Sequence, residues 1–145
     1  MPIKSFRGKL ADDTQQTIAL STNNGATGYK IVKFEVMSPD ANSNVEAVLK
    51  IYKIKQTTNT SDVDFSDNTL LAAALINDTT DRNYMPIPIV TFDNEIFNQD
   101  IYVTHDAGDA STVDCNYYIE LEQIKLDLNE NTVATLKDIR NNTQA

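Results

Sequence analysis

The sequence has no tryptophan, one cysteine (Cys115), one histidine (His105) and only four glycines in 145 residues. A single cysteine excludes an internal disulfide and a thiolate metal cluster. There is no His-x-x-x-His pair, no phosphate-cradling glycine loop and no serine elbow. Basic residues are scarce too. Twelve Lys and Arg stand against twenty-one Asp and Glu, a net charge of −9, which argues against a nucleic-acid backbone as the main partner. No stretch approaches the roughly 18 uninterrupted apolar residues of a membrane span. Met1 to Leu10 is interrupted by Lys4, Arg7 and Lys9 and lacks the apolar core of a signal peptide. The expectation is a protein made in the cytoplasm that uses neither a membrane nor a nucleic acid as partner.

What is present suits one globular domain over residues 1–145. Hydrophobic residues make up 41% and charged residues 23%, enough apolar surface for a core. The acid is mainly aspartate, fifteen against six glutamates. Asp, Asn and Thr fill the gaps between apolar runs, where their short side chains favour turns over helix interiors.

Period-two alternation marks the strands. Val32, Phe34 and Val36 alternate with Lys33 and Glu35 inside Tyr29–Met37. Ala47, Leu49 and Ile51 alternate with Glu46 and Lys50 inside Val45–Lys55, and Ile101 and Val103 alternate inside Gln99–Thr104. Ile3–Leu10 and Thr17–Leu20 also read as extended. Leu70–Ile76 is alanine-rich but short, which favours a buried strand over a helix. Pro86 and Pro88 make Ile87–Phe92 an edge strand. In Asn116–Asp127, Tyr117, Ile119 and Leu121 share one face, but Ile124 and Leu126 fall on the other, which predicts a β-bulge between Leu121 and Ile124. Asn23-Asn24-Gly25 signals a turn, and Gln56–Asn68 and Asp106–Asp114 read as loops. Val133, Leu136 and Ile139, spaced helically after Asn129, predict a short C-terminal helix. The fold class is therefore all-β, an antiparallel β-sandwich or jelly roll with that helix at its end. Val32, Phe34, Val36, Leu49, Ile51, Ile101, Val103, Ile119 and Leu121 are its expected core.

Few residues qualify for chemistry. His105 and Cys115, ten residues apart, would suit a Cys–His nucleophile, yet no third orienting group accompanies them. The alternative is a loop histidine and a thiol packed as a small hydrophobe. Asp62, Asp64 and Asp67 have calcium-loop density without the bend glycine or the closing bidentate Glu, so a solvated turn competes with a cation site. Glu120 and Glu122, two apart on a strand, share one side and read as a solvent or interface face. The expectation is a non-enzymatic protein with no catalytic residues, cofactor or metal.

Several blocks resemble one family. They are Met1-Pro-Ile-Lys-Ser-Phe-Arg-Gly8, Tyr29-Lys-Ile-Val-Lys-Phe-Glu-Val-Met37, Asp64-Phe-Ser-Asp-Asn-Thr-Leu-Leu71, Phe92-Asp-Asn94 with Phe97 to His105, Cys115-Asn-Tyr-Tyr-Ile-Glu-Leu-Glu122, and Val133 to Arg140. Across nearly the whole chain they resemble small virion structural proteins of marine tailed bacteriophages. The resemblance implies a many-copy structural subunit that coats or cements the capsid, with the major capsid protein or other virion proteins as partners and a place in the virion. A tail or neck component is the alternative within that class, and a glycan-binding β-sandwich for host attachment is the alternative outside it. The absence of tryptophan counts against glycan binding. The chain is expected to work as an oligomer. Its candidate assembly arm, within residues 1–12, is formed by Ile3, Lys4, Phe6, Arg7, Lys9 and Leu10. The competing reading makes Ile3–Leu10 the first strand of the sandwich.

Overall fold

The computed structural model describes residues 2–22, 25–40, 46–76, 88–107, 113–127, 129 and 132–137. It is an all-β domain of two antiparallel sheets with a short C-terminal helix over 132–137. The strands are β1 (Ile3–Leu10), β2 (Thr14–Ile18), β3 (Thr27–Met37), β4 (Ala47–Tyr52), β5 (Leu70–Ile76), β6 (Ile89–Phe92), β7 (Ile101–Asp106) and β8 (Cys115–Lys125).

One sheet has the order β1-β8-β3, the other β2-β7-β4-β5-β6. Strands thus pair from the two ends of the chain inward: β1 with β8, β2 with β7, β4 with β5. That nesting is the jelly-roll order. The remaining pair of the nest, β3 with β6, is replaced. β6 lies beside β5, and the chain after it crosses to β3 through a bridge between Tyr29 and Phe97, with N–H···O bonds of 2.8 and 2.9 Å. Asp13, with φ of 57°, turns β1 into β2, and the nearby Asp12 carboxylate accepts from Ala107 N–H at 2.8 Å. Aspartate tolerates that left-handed conformation better than most residues. Gly25, with φ of 65°, supplies the turn before β3. Asn23 and Asn24 lie outside the described residues.

The core lies between the sheets. Leu49, Ile51, Ile101, Val103, Ile119 and Leu121 are fully buried, and Phe34 and Val36 nearly so. Val32 does not join them. The β3–β8 register slips between Ile31, opposite Leu121, and Lys33, opposite Glu120, so Val32 is the extra residue of a bulge and is only half-buried. The bulge therefore sits in β3, and β8 runs unbroken to Lys125 opposite Thr27. The apolar phase slip in β8 has a different cause. Ile124 pairs with Gly28 on the outward side, and Leu126, beyond the strand, is buried against that glycine.

Every residue of β4 is buried, including Lys50, because both faces of the strand are covered. Leu49 and Ile51 face the core, while the segment between β4 and β5 lies over the outer face. Gln15 and Gln56 fasten that segment reciprocally, at 3.0 and 2.9 Å. The expected loop at Gln56–Asn68 is therefore a cover as well as a surface. β5 is a strand, and β6, preceded by Pro88, is an edge. The C-terminal helix buries Ala134 but leaves Val133 and Leu136 about half exposed. Ile139 lies outside the described residues.

Candidate assembly surface

The residues of the expected arm form β1, hydrogen-bonded to β8 along its whole length at an edge of the three-stranded sheet. Leu10 is buried and Phe6 packs against the core, whereas Ile3 is half exposed. Lys4 places its ammonium 6.0 Å from the Tyr29 ring centroid. Arg7 and Lys9 point the other way, onto the outer face of the sheet.

That face has a regular grid. Lys9, Asn116 and Met37 form one row, and Arg7, Tyr118 and Glu35 the next. Ser5, Glu120 and Lys33 follow, then Ile3, Glu122 and Lys30. Strict alternation would put Lys30 and Lys33, three residues apart, on opposite faces. The bulge at Val32 turns both outward. Each then finds a carboxylate: Lys30 meets Glu122 at 3.3 Å and Lys33 meets Glu35 at 3.5 Å. The Lys33 ammonium also lies 5.7 Å from the Tyr118 ring centroid. The Tyr118 hydroxyl donates to Glu120 at 2.8 Å, and that bond is the main cause of its raised pKa. Among the described residues, neither Arg7 nor Lys9 has an ion pair. They flank a groove of about 450 Å³ that continues over Tyr118, Asn116 and Glu35 to Met37, which is 68% exposed.

Charge is segregated between this sheet and the rest. β1, β3 and β8 hold six of the twelve basic residues, three of the twenty-one acidic ones and no aspartate, a balance of +3 against −12 elsewhere.

The other candidate groups do not converge on a reaction. His105 and Cys115 are both fully buried. His105 Nε2 meets the Val113 carbonyl oxygen at 2.9 Å, while the Cys115 thiol donates to Met37 O at 3.5 Å. Burial pushes the thiol up to about 11, the reverse of nucleophile activation. Asp64 accepts from Ser66 N–H at 2.9 Å and Ser66 Oγ–H at 2.5 Å. Those bonds, the hydroxyl's first, hold its carboxyl below the usual range. Asp67 caps Thr69 in the same way. The acidic segment is thus a pair of Asx-type turns, and no group of three metal-ligating side chains gathers among the described residues. Inside the first of those turns Phe65 stands 73% exposed and borders a hollow of about 210 Å³ with Leu70, Phe92 and Asp93.

Glu120 and Glu122 do share one face, with Lys30, Lys33, Tyr118 and Met37, which sequence reasoning did not assign to it. Lys30, a charged residue in the same phase as Phe34 and Val36, was the available signal. No family model, curated protein or solved structure matches the chain.

Proposed function

We propose that this chain is a non-enzymatic structural subunit of a tailed-bacteriophage virion, a decoration or cement protein that stabilises the head by protein–protein contacts. The observation that carries the reading is the outer face of the three-stranded sheet, where Arg7, Lys9, Lys30 and Lys33 stand against Glu35, Glu120 and Glu122, with Arg7 and Lys9 outside any ion pair among the described residues and beside an exposed Met37, in an otherwise acidic domain. Such a face suits an acidic protein surface, and the charge of −9 keeps free copies soluble before assembly. The folding blocks resembling marine phage virion proteins add to this. The jelly-roll order itself occurs in capsid and lectin domains alike, so it does not choose between attachment to protein and to glycan.

The test is mass spectrometry of purified particles together with a reconstruction of the virion. Several hundred copies on the head exterior would support decoration, and a handful in the tail or neck would move the subunit there. Absence from purified particles would sink the reading. One observation favours glycan attachment, the groove beside Tyr118 with Arg7 and Asn116 as polar neighbours. Saccharide binding on a glycan array, lost in Tyr118→Ala, would promote it.

A further inference from the structure

Two exposed surfaces on this chain complement each other. The first is the groove between Arg7, Lys9, Tyr118 and Met37. The second lies at the β6 edge of the five-stranded sheet, where Phe65 is 73% exposed, Ile89 63% and Phe92 39%. Asp93 lines the hollow beside that patch, and Asp62, Asp64 and Asp67 lie within three residues of Phe65 in the chain. One surface is a groove with Arg7 and Lys9 on one side and Glu35, paired with Lys33, and Met37 on the other; the second is an aromatic knob in an acidic segment. The Asx turns at Asp64 and Asp67 hold the knob in a fixed shape, which lowers the ordering cost of docking.

We infer that a second copy of this chain occupies the groove, with its Phe65 beside Met37 and Tyr118 and its aspartates against Arg7 and Lys9. The two surfaces share no residue, so the contact is heterologous and repeats from copy to copy into a ring or an open chain. An aromatic anchor in a groove with a charged rim is the ordinary anatomy of a protein interface. Lys4, Arg7 and Lys9 on edge strand β1 discourage pairing between two β1 edges by like charge, which leaves the acidic patch as the favoured mate. The inference shares with the virion reading only the basic face as a contact surface. It is measured in solution without particles, so either can fail alone.

Sedimentation velocity on the full chain reads the assembly directly. Wild-type protein should associate with rising concentration. The association should weaken at least about tenfold between about 0.1 M and about 1 M salt, over which the screening length falls from about 10 Å to about 3 Å. Arg7→Glu/Lys9→Glu, which spoils the groove, and Phe65→Lys, which spoils the knob, should each be a folded monomer. Mixed together they retain one intact groove and one intact knob, and should form a one-to-one dimer that grows no further. Lys9→Glu alone and Phe65→Ser are milder versions should either variant lose its circular-dichroism spectrum. A wild type that stays monomeric at every concentration overturns the inference. So do variants that associate like wild type, or a mixture that stays monomeric.

Discussion

Lys50 Nζ donates to the main-chain oxygen of Asp62 at 2.6 Å, from a side chain 1% exposed in the middle of β4. A second bond reaches Thr60 Oγ1 at 3.1 Å, and the ammonium lies 5.4 Å from the Tyr52 ring centroid. Desolvation lowers the Lys50 pKa, opposed by the charges of Asp62, Asp106 and Asp67. The lysine therefore pins the cover segment onto the outer face of the five-stranded sheet, and through it the base of the Phe65 knob. Lys50→Met keeps the stem volume and leaves both acceptors without their donor. It is expected to cost about 1–3 kcal/mol in urea unfolding and to speed proteolysis within residues 56–68. Unchanged stability and cleavage would show that the pin holds nothing.

The bulge makes neighbouring positions on β3 unequal. Phe34→Ala, at a site 3% exposed, is expected to cost about 3–5 kcal/mol. Val32→Ala, at the half-buried bulge, should cost about 1 kcal/mol. Equal losses in chemical denaturation would return Val32 to the core and contradict the register.

Gly8 owes its place to a close approach. A Cβ there would lie 2.9 Å from Tyr117 Cε1 and 3.1 Å from Gln16 Oε1. The Tyr117 hydroxyl donates to that same oxygen at 2.6 Å, which ties β8 of one sheet to β2 of the other. Gly8→Ala should lose about 1–3 kcal/mol by displacing the ring, and Tyr117→Phe about 1 kcal/mol by removing the bond. Because both act on one contact, the double variant should lose less than the sum. Full additivity would mean that the alanine is absorbed elsewhere.

Cys115 supplies a pH dependence with a definite sign. The folded thiol holds its proton up to about 11 against an ordinary 9.0, because burial disfavours the thiolate. Its contribution is complete below pH 9.0 and is lost as the pH rises through 11, on the order of 2–3 kcal/mol. Tyr52, raised to about 12 chiefly by burial, acts in the same direction from pH 10.0 upward. Lys50, with its pKa lowered, acts in the opposite one. Cys115→Ala leaves those two in place. Its guanidinium stability should therefore fall less steeply than wild type between pH 9 and pH 11, and parallel curves would refute the assignment.

Local pattern was enough for most strands. Alternation at Phe34 and Val36, at Ile101 and Val103, and at Tyr117, Ile119 and Leu121 reflects a pleated backbone with one buried face, and those residues are in the core. Pro88 marked an edge because it has no N–H to give a ladder, and β6 is that edge. The aspartate-rich gaps marked turns, since their carboxylates bond their own neighbouring backbone.

The rest depended on partners distant in the chain. Whether the β8 phase slip meant a bulge could not be read from β8, because register belongs to a pair of strands: β8 is unbroken, its slip reflects Ile124 facing outward and Leu126 packing on Gly28, and a separate bulge lies at Val32 on β3. That placement decides that Lys30 and Lys33 share the outer face with Arg7 and Lys9. Lys50 reads as a solvent lysine in sequence, since nothing within its own strand shows that Thr60 and Asp62 fold back over it. The −9 charge was visible from composition, but its division into a basic sheet and an acidic remainder required knowing that the first, third and last strands lie side by side. Sequence determined which residues prefer to be buried, through the period of the backbone. Tertiary structure decided which of them meet, through long-range pairing that no local window contains.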